Sequence, residues 1–203
     1  MEKLKFYKKE KGFGKMETKK KALVFLADGF EEVEALTPVD ILRRGGVEVL
    51  LISVSGQKMV ESAHGVRLET DCLIEELTDA QKEADAYILP GGMPGSTTLA
   101  EHKGVQALLI EANKTGKFLA AICAAPMALG GWGLLQGKEA ICYPGFEKFL
   151  TGAKISSNRV AKDGNIITAK GVGAGFAFGY AILGELVGEE AVSRLKEQMI
   201  WQD

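Results

Sequence analysis

Histidine and cysteine are scarce in this chain, and each scarcity excludes a kind of site. The 203 residues include two histidines, His64 and His102, so a histidine-rich metal site is excluded and we expect no metal. The three cysteines, Cys72, Cys123 and Cys142, are an odd number without close pairing or metal-ligand spacing. They therefore indicate a reducing, cytoplasmic setting rather than a disulfide framework.

Long apolar runs and an excess of one charge are also missing. No run approaches the length of a membrane span, and the N-terminus lacks the apolar segment of a secretory signal. Basic residues number 25 and acidic residues 27, which gives a net charge of −2 and no electrostatic reason to expect nucleic acid or an anionic membrane as a partner. Hydrophobic residues make up 46% of the chain, enough to bury a full core.

The chain divides into a short tail and one regular domain. Residues 1–20 are rich in lysine with little apolar periodicity, and we expect a flexible basic tail there. From residue 21 to residue 203, strand and helix patterns alternate without an internal repeat or a linker. This alternation predicts a single α/β domain with a mostly parallel sheet covered by helices on both faces.

Three predicted strands end in stretches that can carry chemistry. Residues 22–27 lead to Glu31, Glu32 and Glu34, residues 86–89 lead to Pro90-Gly91-Gly92, and residues 117–122 lead to Cys123. Ligands of open parallel sheets bind beyond the carboxyl ends of the strands. We therefore expect these three ends to meet in one crevice.

Cys123 lies where an apolar strand changes into a helix. The small residues Ala121 and Ala125 flank it at two positions on either side, as in the sharp strand-to-helix turn that holds a nucleophile in hydrolases. Backbone amides at the start of a helix favour a thiolate. The alternative is a buried structural cysteine, and this stretch alone leaves both open. The convergence of strand ends favours a reactive thiol.

Glu34 and a pair of glycines complete the predicted site. A carboxyl buried beside a thiolate would keep its proton, and it could then donate a hydrogen bond to sulfur or act as a general acid and base. Gly91 and Gly92 allow close approach of the backbone, and their amides with that of Ala124 could form an oxyanion hole. A simple turn at these glycines remains possible.

Several of these motifs together resemble the ThiJ/PfpI superfamily, and within it the branch of the Parkinson-disease protein DJ-one and its bacterial relatives. The matching segments are Ala27-Asp28-Gly29-Phe30-Glu31-Glu32-Val33-Glu34, Leu89-Pro90-Gly91-Gly92 and Ala120-Ala121-Ile122-Cys123-Ala124-Ala125-Pro126. The resemblance implies a flavodoxin-like three-layer sandwich and a homodimer. It also implies that Cys123 is a low-pKa reactive cysteine, that Glu34 is its protonated partner, and that the amides of Gly92 and Ala124 bind an oxyanion.

The resemblance implies a cofactor-independent enzyme as well. Members of the family act as glyoxalases on methylglyoxal and related 2-oxoaldehydes or as deglycases on their adducts, and some are described as oxidative-stress sensors or redox-regulated chaperones. A small aldehyde is therefore the expected substrate, while a non-enzymatic sensor using the same cysteine remains the alternative.

Two departures from the family pattern narrow these expectations. Several relatives have a histidine followed by proline where this chain has Tyr143-Pro144, and protease-like members have a histidine where Ala124 follows the cysteine. No histidine follows His102, so a protease or a glutamine amidotransferase is poorly supported.

Overall fold

A computed structural model describes residues 19–202 as a sheet enclosed by helices. All of the predicted tail except residues 19 and 20 lies outside the described residues. The strands are β1 (Lys21–Leu26), β2 (Glu48–Ser53), β3 (Met59–Glu61), β4 (Arg67–Glu69), β5 (Cys72–Leu73), β6 (Ala86–Leu89), β7 (Phe118–Ile122), β8 (Glu139–Ala140), β9 (Lys154–Ile155), β10 (Val160–Asp163) and β11 (Ile166–Ala169). The helices are α1 (Glu32–Arg44), α2 (Asp79–Lys82), α3 (Gly95–Glu101), α4 (Lys103–Lys114), α5 (Pro126–Gly131), α6 (Gly175–Val187) and α7 (Glu189–Gln198).

The main sheet has the strand order β10-β11-β7-β6-β1-β2-β5. All neighbouring strands in it are parallel except β10 and β11, which form an antiparallel hairpin at one edge. The central strands are buried on both faces, which is why they are apolar runs rather than alternating ones. Because β7, β6 and β1 are adjacent, the three strand ends singled out in the sequence do meet at one edge of the sheet.

Two apolar cores lie on opposite faces of this sheet. Alternate residues of β1 divide between them: Val24 points to the core formed with α1, α6 and α7, while Phe25 points to the core formed with α3, α4 and α5. The result is a three-layer α/β sandwich, which confirms the predicted flavodoxin-like fold.

Helices α1 and α6 pack closely because α6 presents a glycine to α1. A Cβ atom built on Gly179 would lie 2.6 Å from Cδ1 of Ile41 and 3.1 Å from Cα of Pro38. Helix α1 continues through Pro38 from Glu32 to Arg44. The contact fixes the position of α1, whose first turn carries Glu34.

One helix, α3, differs from the sequence prediction. Helix α3 was not predicted, because its residues Gly95–Glu101 include glycine, serine and threonine, which have low helix propensity. Its first turn packs against the turn between β1 and α1, since a Cβ on Gly95 would lie 2.8 Å from the backbone nitrogen of Phe30.

Among the helices formed by residues 19–202, none is long and apolar enough to span a bilayer.

Candidate active site

Cys123 lies in the turn between β7 and α5 with a strained backbone. Its φ of 64° falls in the left-handed region, which is uncommon for a residue with a side chain. Two hydrogen bonds hold this conformation: the amide of Cys123 donates to the carbonyl of Ala169 (2.9 Å), and its carbonyl accepts from the amide of Tyr143 (2.8 Å). The half-buried thiol is thereby directed to the carboxyl edge of the sheet.

Glu34 lies in the first turn of α1 and is 1% exposed. The carboxylate of Glu31 caps the helix and accepts a hydrogen bond from the amide of Glu34 (2.6 Å), which fixes the direction of the Glu34 side chain. Oε2 of Glu34 is buried without a hydrogen-bond partner of ordinary geometry among the described residues. A carboxyl in this state is expected to be neutral or to await a ligand.

Gly91 separates Glu34 from Cys123. A Cβ atom at this position would collide with Oε2 of Glu34 and would lie 2.5 Å from Cβ of Cys123. The carbonyl of Gly91 also accepts a hydrogen bond from the amide of Glu31 (2.9 Å). Gly91 therefore allows the carboxyl and the thiol to approach each other, which differs from the predicted role of its amide in an oxyanion hole.

The amides of Gly92 and Ala124 both face the sulfur of Cys123, and each lowers the pKa of the thiol by hydrogen bonding. Gly92 has a φ of 91°, and a Cβ there would collide with the backbone of Gly29 and Glu31. The carbonyl of Gly92 accepts from the amide of Ser96 (2.9 Å) at the start of α3. The two amides therefore lie beside Cys123, while the predicted binding of an oxyanion by them stays a prediction.

The pKa of Glu34 is raised to about 7, mainly by burial and also by the charge of Glu31. The nearby Cys123 thiol and the amide of Gly91 act in the opposite direction and lower it. Desolvation outweighs these two contacts because the side chain is almost fully removed from water. A proton on Glu34 near neutral pH is therefore consistent with the sequence prediction.

The pKa of Cys123 departs from the predicted direction. Burial, the charge of Glu34 and a hydrogen bond to Glu34 raise it to about 12, against the lowering by the two amides. The low pKa that the family resemblance implies is wrong for the state with Glu34 ionised, because burial and the charge of Glu34 outweigh the two amides. When Glu34 holds a proton its charge is gone and it can donate to sulfur, so the pair shares one proton and the thiolate requires a protonated Glu34.

The two histidines lie outside this arrangement. Nδ1 of the exposed His64 lies 3.0 Å from both carboxylate oxygens of Glu32, and this hydrogen bond raises the pKa of the imidazole. Nδ1 of His102 accepts from the amide of Val105 (3.2 Å) and caps α4, so His102 has a structural role that the sequence did not indicate.

One group of possible metal ligands exists among the described residues. Ligand atoms of Glu31, Glu32 and His64 lie within 4.8 Å of one another. They are already engaged, since Glu31 caps α1 and Glu32 pairs with His64. The positive end of the α1 dipole also disfavours a cation at this point.

Three neighbours of the site were not found by sequence reasoning. Ala169 and Tyr143 hold the backbone of Cys123, and a Cβ on Gly171 would lie 3.9 Å from Oε1 of Glu34. Ala169 and Gly171 become neighbours only because β11 pairs with β7. The glycine-rich stretch that begins at Gly171 is the one signal in the sequence that could have indicated this neighbourhood.

Comparison with known proteins shows the family of the chain. The family model described as DJ-1/PfpI matches residues 20–185. The Arabidopsis thaliana protein DJ-1 homolog B is 40% identical over 173 residues, which cover 84% of this chain but 39% of that protein, so the chain spans less than half of that relative's length.

Two further relatives match over nearly their whole length. The Caenorhabditis elegans protein named glutathione-independent glyoxalase DJR-1.2 is 33% identical over 182 residues, which cover 89% of this chain and 96% of that protein. The crystal structure of Drosophila melanogaster DJ-1beta superposes with a TM-score of 0.85 at 33% identity and covers 92% of this chain and 100% of that one. The chain therefore belongs to the DJ-1/PfpI family.

Proposed function

We propose that this protein is a cofactor-independent enzyme that converts methylglyoxal and related 2-oxoaldehydes to 2-hydroxy acids. One observation carries the proposal: the buried Oε2 of Glu34 lacks a partner among the described residues and lies beside Cys123, whose sulfur faces the amides of Gly92 and Ala124. A nucleophile, a proton carrier and an oxyanion site thus lie together.

In the first step the sulfur of Cys123 adds to the aldehyde carbon. The Glu34 carboxylate accepts the thiol proton as the S–C bond forms, and the amides of Gly92 and Ala124 stabilise the negative charge on the aldehyde oxygen. Transfer of the proton from Glu34 to that oxygen gives a neutral hemithioacetal and restores the carboxylate.

In the second step Glu34 moves a proton between two carbons. It removes the hydrogen of the former aldehyde carbon, which gives an enediolate, and returns the proton to the neighbouring carbon. The hydroxyl proton on the former aldehyde carbon passes to the oxygen of the neighbouring carbon in the same rearrangement. The former aldehyde carbon is oxidised to a thioester while its neighbour is reduced to an alcohol, so no external redox partner is needed. Water then hydrolyses the thioester, which releases the 2-hydroxy acid and restores the thiol.

One line of support comes from outside the site geometry. The family member from C. elegans carries the name of a glutathione-independent glyoxalase. A thiol and a carboxyl in this arrangement also suit an aldehyde that is already bound as an adduct to another molecule, so a deglycase reaction is a related form of the same proposal.

The test measures conversion of methylglyoxal to lactate by the purified chain. We expect turnover by the wild type, none by Cys123→Ser and a sharp decrease in Glu34→Gln. Cys142→Ser is the matched control, because Cys142 is a buried cysteine whose pKa is raised to about 11 by burial and by the charge of Glu147. Undetectable turnover with the Cys123 thiol shown to be intact would overturn the proposal.

A non-enzymatic redox sensor or chaperone is the second candidate. The specific observation is again Oε2 of Glu34, since a protonated carboxyl at this position can donate a hydrogen bond to an oxygen of a Cys123 sulfinate. Mass spectrometry after mild peroxide treatment distinguishes the two. Selective oxidation of Cys123 with a change in holdase activity and without methylglyoxal turnover would favour the sensor.

We also propose that the chain forms a homodimer. Val33 of α1 and Phe176 of α6 are 44% and 38% exposed, and with Leu36 they line a shallow apolar cavity of about 310 Å³ on one face. Covering this face by a second copy would remove apolar surface from water. Light scattering after size exclusion should give twice the chain mass for the wild type and a smaller mass for Val33→Asp.

A further inference from the structure

A second cavity adjoins the Cys123–Glu34 pair and carries two cations. It has a volume of about 390 Å³, and its lining includes Tyr143, Arg159, Lys170 and Gly171. Two contacts connect it to the pair: the amide of Tyr143 donates to the carbonyl of Cys123, and a Cβ on Gly171 would lie 3.9 Å from Oε1 of Glu34. The residues that line this cavity are therefore direct neighbours of the pair.

Arg159 and Lys170 face each other across a strand pair. They extend the antiparallel register of β10 and β11, and the amide of Lys170 donates to the carbonyl of Arg159 (3.0 Å). Directly opposed residues of an antiparallel pair point to the same face, and like charges at such positions repel. Within residues 19–202 neither cation has a carboxylate partner, although other surface lysines and arginines do.

The rest of the cavity adds to this positive potential. Its wall continues through residues 172–174 to the N-terminus of α6, a helix of 13 residues that begins at Gly175. The start of a helix favours an anion through its dipole and its free amides. Two cations without a carboxylate partner among the described residues and a helix N-terminus thus lie around the same space, and Tyr143 and Gly171 of its lining adjoin Cys123 and Glu34.

We propose that this cavity is an anion subsite, and that the preferred substrates of the enzyme are 2-oxoaldehydes bearing a carboxylate or a phosphate group. Arg159 and Lys170 bind the anionic group, while the aldehyde carbon lies at the sulfur of Cys123. The two cations are specificity-determining residues rather than catalytic ones. This inference rests on the proposed function for its substrate class, but the binding of an anion beside Cys123 can be tested separately.

The first experiment needs no turnover. Iodoacetate and iodoacetamide alkylate the same sulfur and differ in charge, so the ratio of their rates at Cys123 measures attraction of an anion. The double variant Arg159→Gln/Lys170→Gln should lower the ratio of iodoacetate to iodoacetamide on the order of tenfold at low salt. Inorganic phosphate and acetate, added separately, should slow alkylation of the wild type, and the stronger of the two identifies the preferred group.

A matched control removes the same charge elsewhere. Lys82 and Lys114 precede β6 and β7, so they lie near the amino ends of the strands, opposite to Cys123. There they pair with Asp79 and Glu111. Lys82→Gln/Lys114→Gln should leave the alkylation ratio unchanged. An equal ratio in both double variants, with thermal melting showing both to be folded, would overturn the anion subsite.

The second experiment connects the subsite to the reaction. For 4,5-dioxopentanoate, which ends in a carboxylate, the wild type should show a lower KM than for the neutral 2-oxopentanal of the same chain length. Removing Arg159 and Lys170 should abolish this difference by raising the KM for 4,5-dioxopentanoate to that for 2-oxopentanal. If the wild type turns over neither aldehyde but the Arg159/Lys170 variant still lowers the iodoacetate-to-iodoacetamide ratio, the proposed function alone is rejected. If the wild type turns over both aldehydes with equal KM, the anion subsite alone is rejected.

Discussion

At the scale of single residues, the site depends on how closely Glu34 and Cys123 approach each other. Gly91 lies between them, and no other residue lacks the Cβ that would collide with the carboxyl. The backbone of Gly91 is also fixed, because its carbonyl accepts from the amide of Glu31. A side chain at position 91 cannot shift away from the contact, so we expect it to displace the carboxyl of Glu34.

We expect Gly91→Ala to displace Glu34 from Cys123 and to lower the free energy of unfolding by about 1–3 kcal/mol through overpacking. Methylglyoxal turnover should fall with it. Gly131→Ala is the control, because a Cβ on Gly131 meets nothing within 4 Å among the described residues. Urea unfolding of both variants checks this, and equal stability of the two would contradict the proposed crowding.

The pKa of Glu34 makes a second prediction at this scale. Its folded value of about 7 lies above the ordinary value of 4.5, so folding favours the protonated form. The resulting stabilisation is complete below pH 4.5 and is lost as the pH rises through about 7, with a magnitude on the order of 3 kcal/mol. Glu34→Gln removes this titration.

We therefore expect the stability of Glu34→Gln relative to the wild type to increase as the pH rises from 4.5 to 8. Urea unfolding of both proteins at several pH values measures the difference. Parallel stability profiles would show that Glu34 is not held protonated by the fold.

Sequence reasoning found the chemical groups of the site but not their supports. Cys123 and Glu34 could be predicted because a thiol and a carboxyl follow strands that the apolar pattern places side by side. The role of Gly91 depends on sub-ångström packing, and Ala169 enters only through the pairing of β11 with β7. Neither property leaves a pattern in one sequence. The thiol pKa was missed for the same reason, since it depends on the burial of both groups.

At the scale of elements, the contact between α1 and α6 determines where the first turn of α1 lies. Gly179 allows the approach, because a Cβ there would press on Ile41 and Pro38. Glycine is a poor helix former, so its presence in the middle of α6 lowers helix propensity by about 1 kcal/mol relative to alanine. The close packing of the two helices must offset this cost.

Gly179→Ala should lower the free energy of unfolding by about 1–3 kcal/mol in spite of its better helix propensity. Gly184→Ala, in the same helix, should be neutral or stabilising by up to about 1 kcal/mol, because its nearest neighbour is the flexible end of Glu189. Thermal denaturation compares the two. Stabilisation by both substitutions would mean that α1 and α6 tolerate a wider separation.

Element boundaries followed the sequence where the physical signal was strong. The strands β1, β6 and β7 were predicted within a residue, because a strand covered on both faces is a short apolar run between polar turns. Helix α3 was missed because its tertiary packing against the turn after β1 overrides its low intrinsic propensity.

At the scale of the whole molecule, the two ends of the parallel strands carry different groups. The carboxyl ends carry Cys123 and Glu34 and lie beside the cavity that Arg159 and Lys170 line. At the amino ends, Asp85 accepts hydrogen bonds from the amide of Lys21 (3.1 Å) and from Lys20 Nζ (3.2 Å), and Nζ of Lys117 lies 3.7 Å away. Burial raises the pKa of Asp85, but these contacts outweigh it and the net pKa is lowered.

Asp85→Asn should lower the free energy of unfolding by about 1–2 kcal/mol at neutral pH without changing turnover. The contribution of Asp85 is present above its ordinary pKa of 3.8 and is lost as the pH falls below that value. Asp79→Asn is the control, because the Asp79 side chain is fully exposed and bonds to Lys82. A matching loss of activity in Asp85→Asn would show that the two ends are coupled.

The left-handed backbone of Cys123 implies that the side chain needed for the proposed activity lowers the thermal stability of the fold. A side chain in this region costs about 1–2 kcal/mol, which glycine avoids apart from its greater freedom in the unfolded chain. Cys123→Gly should therefore unfold at a higher temperature than Cys123→Ala, by a margin worth about 1 kcal/mol. Thermal stability alone would then favour glycine over alanine at position 123, so the fold itself does not call for a side chain there.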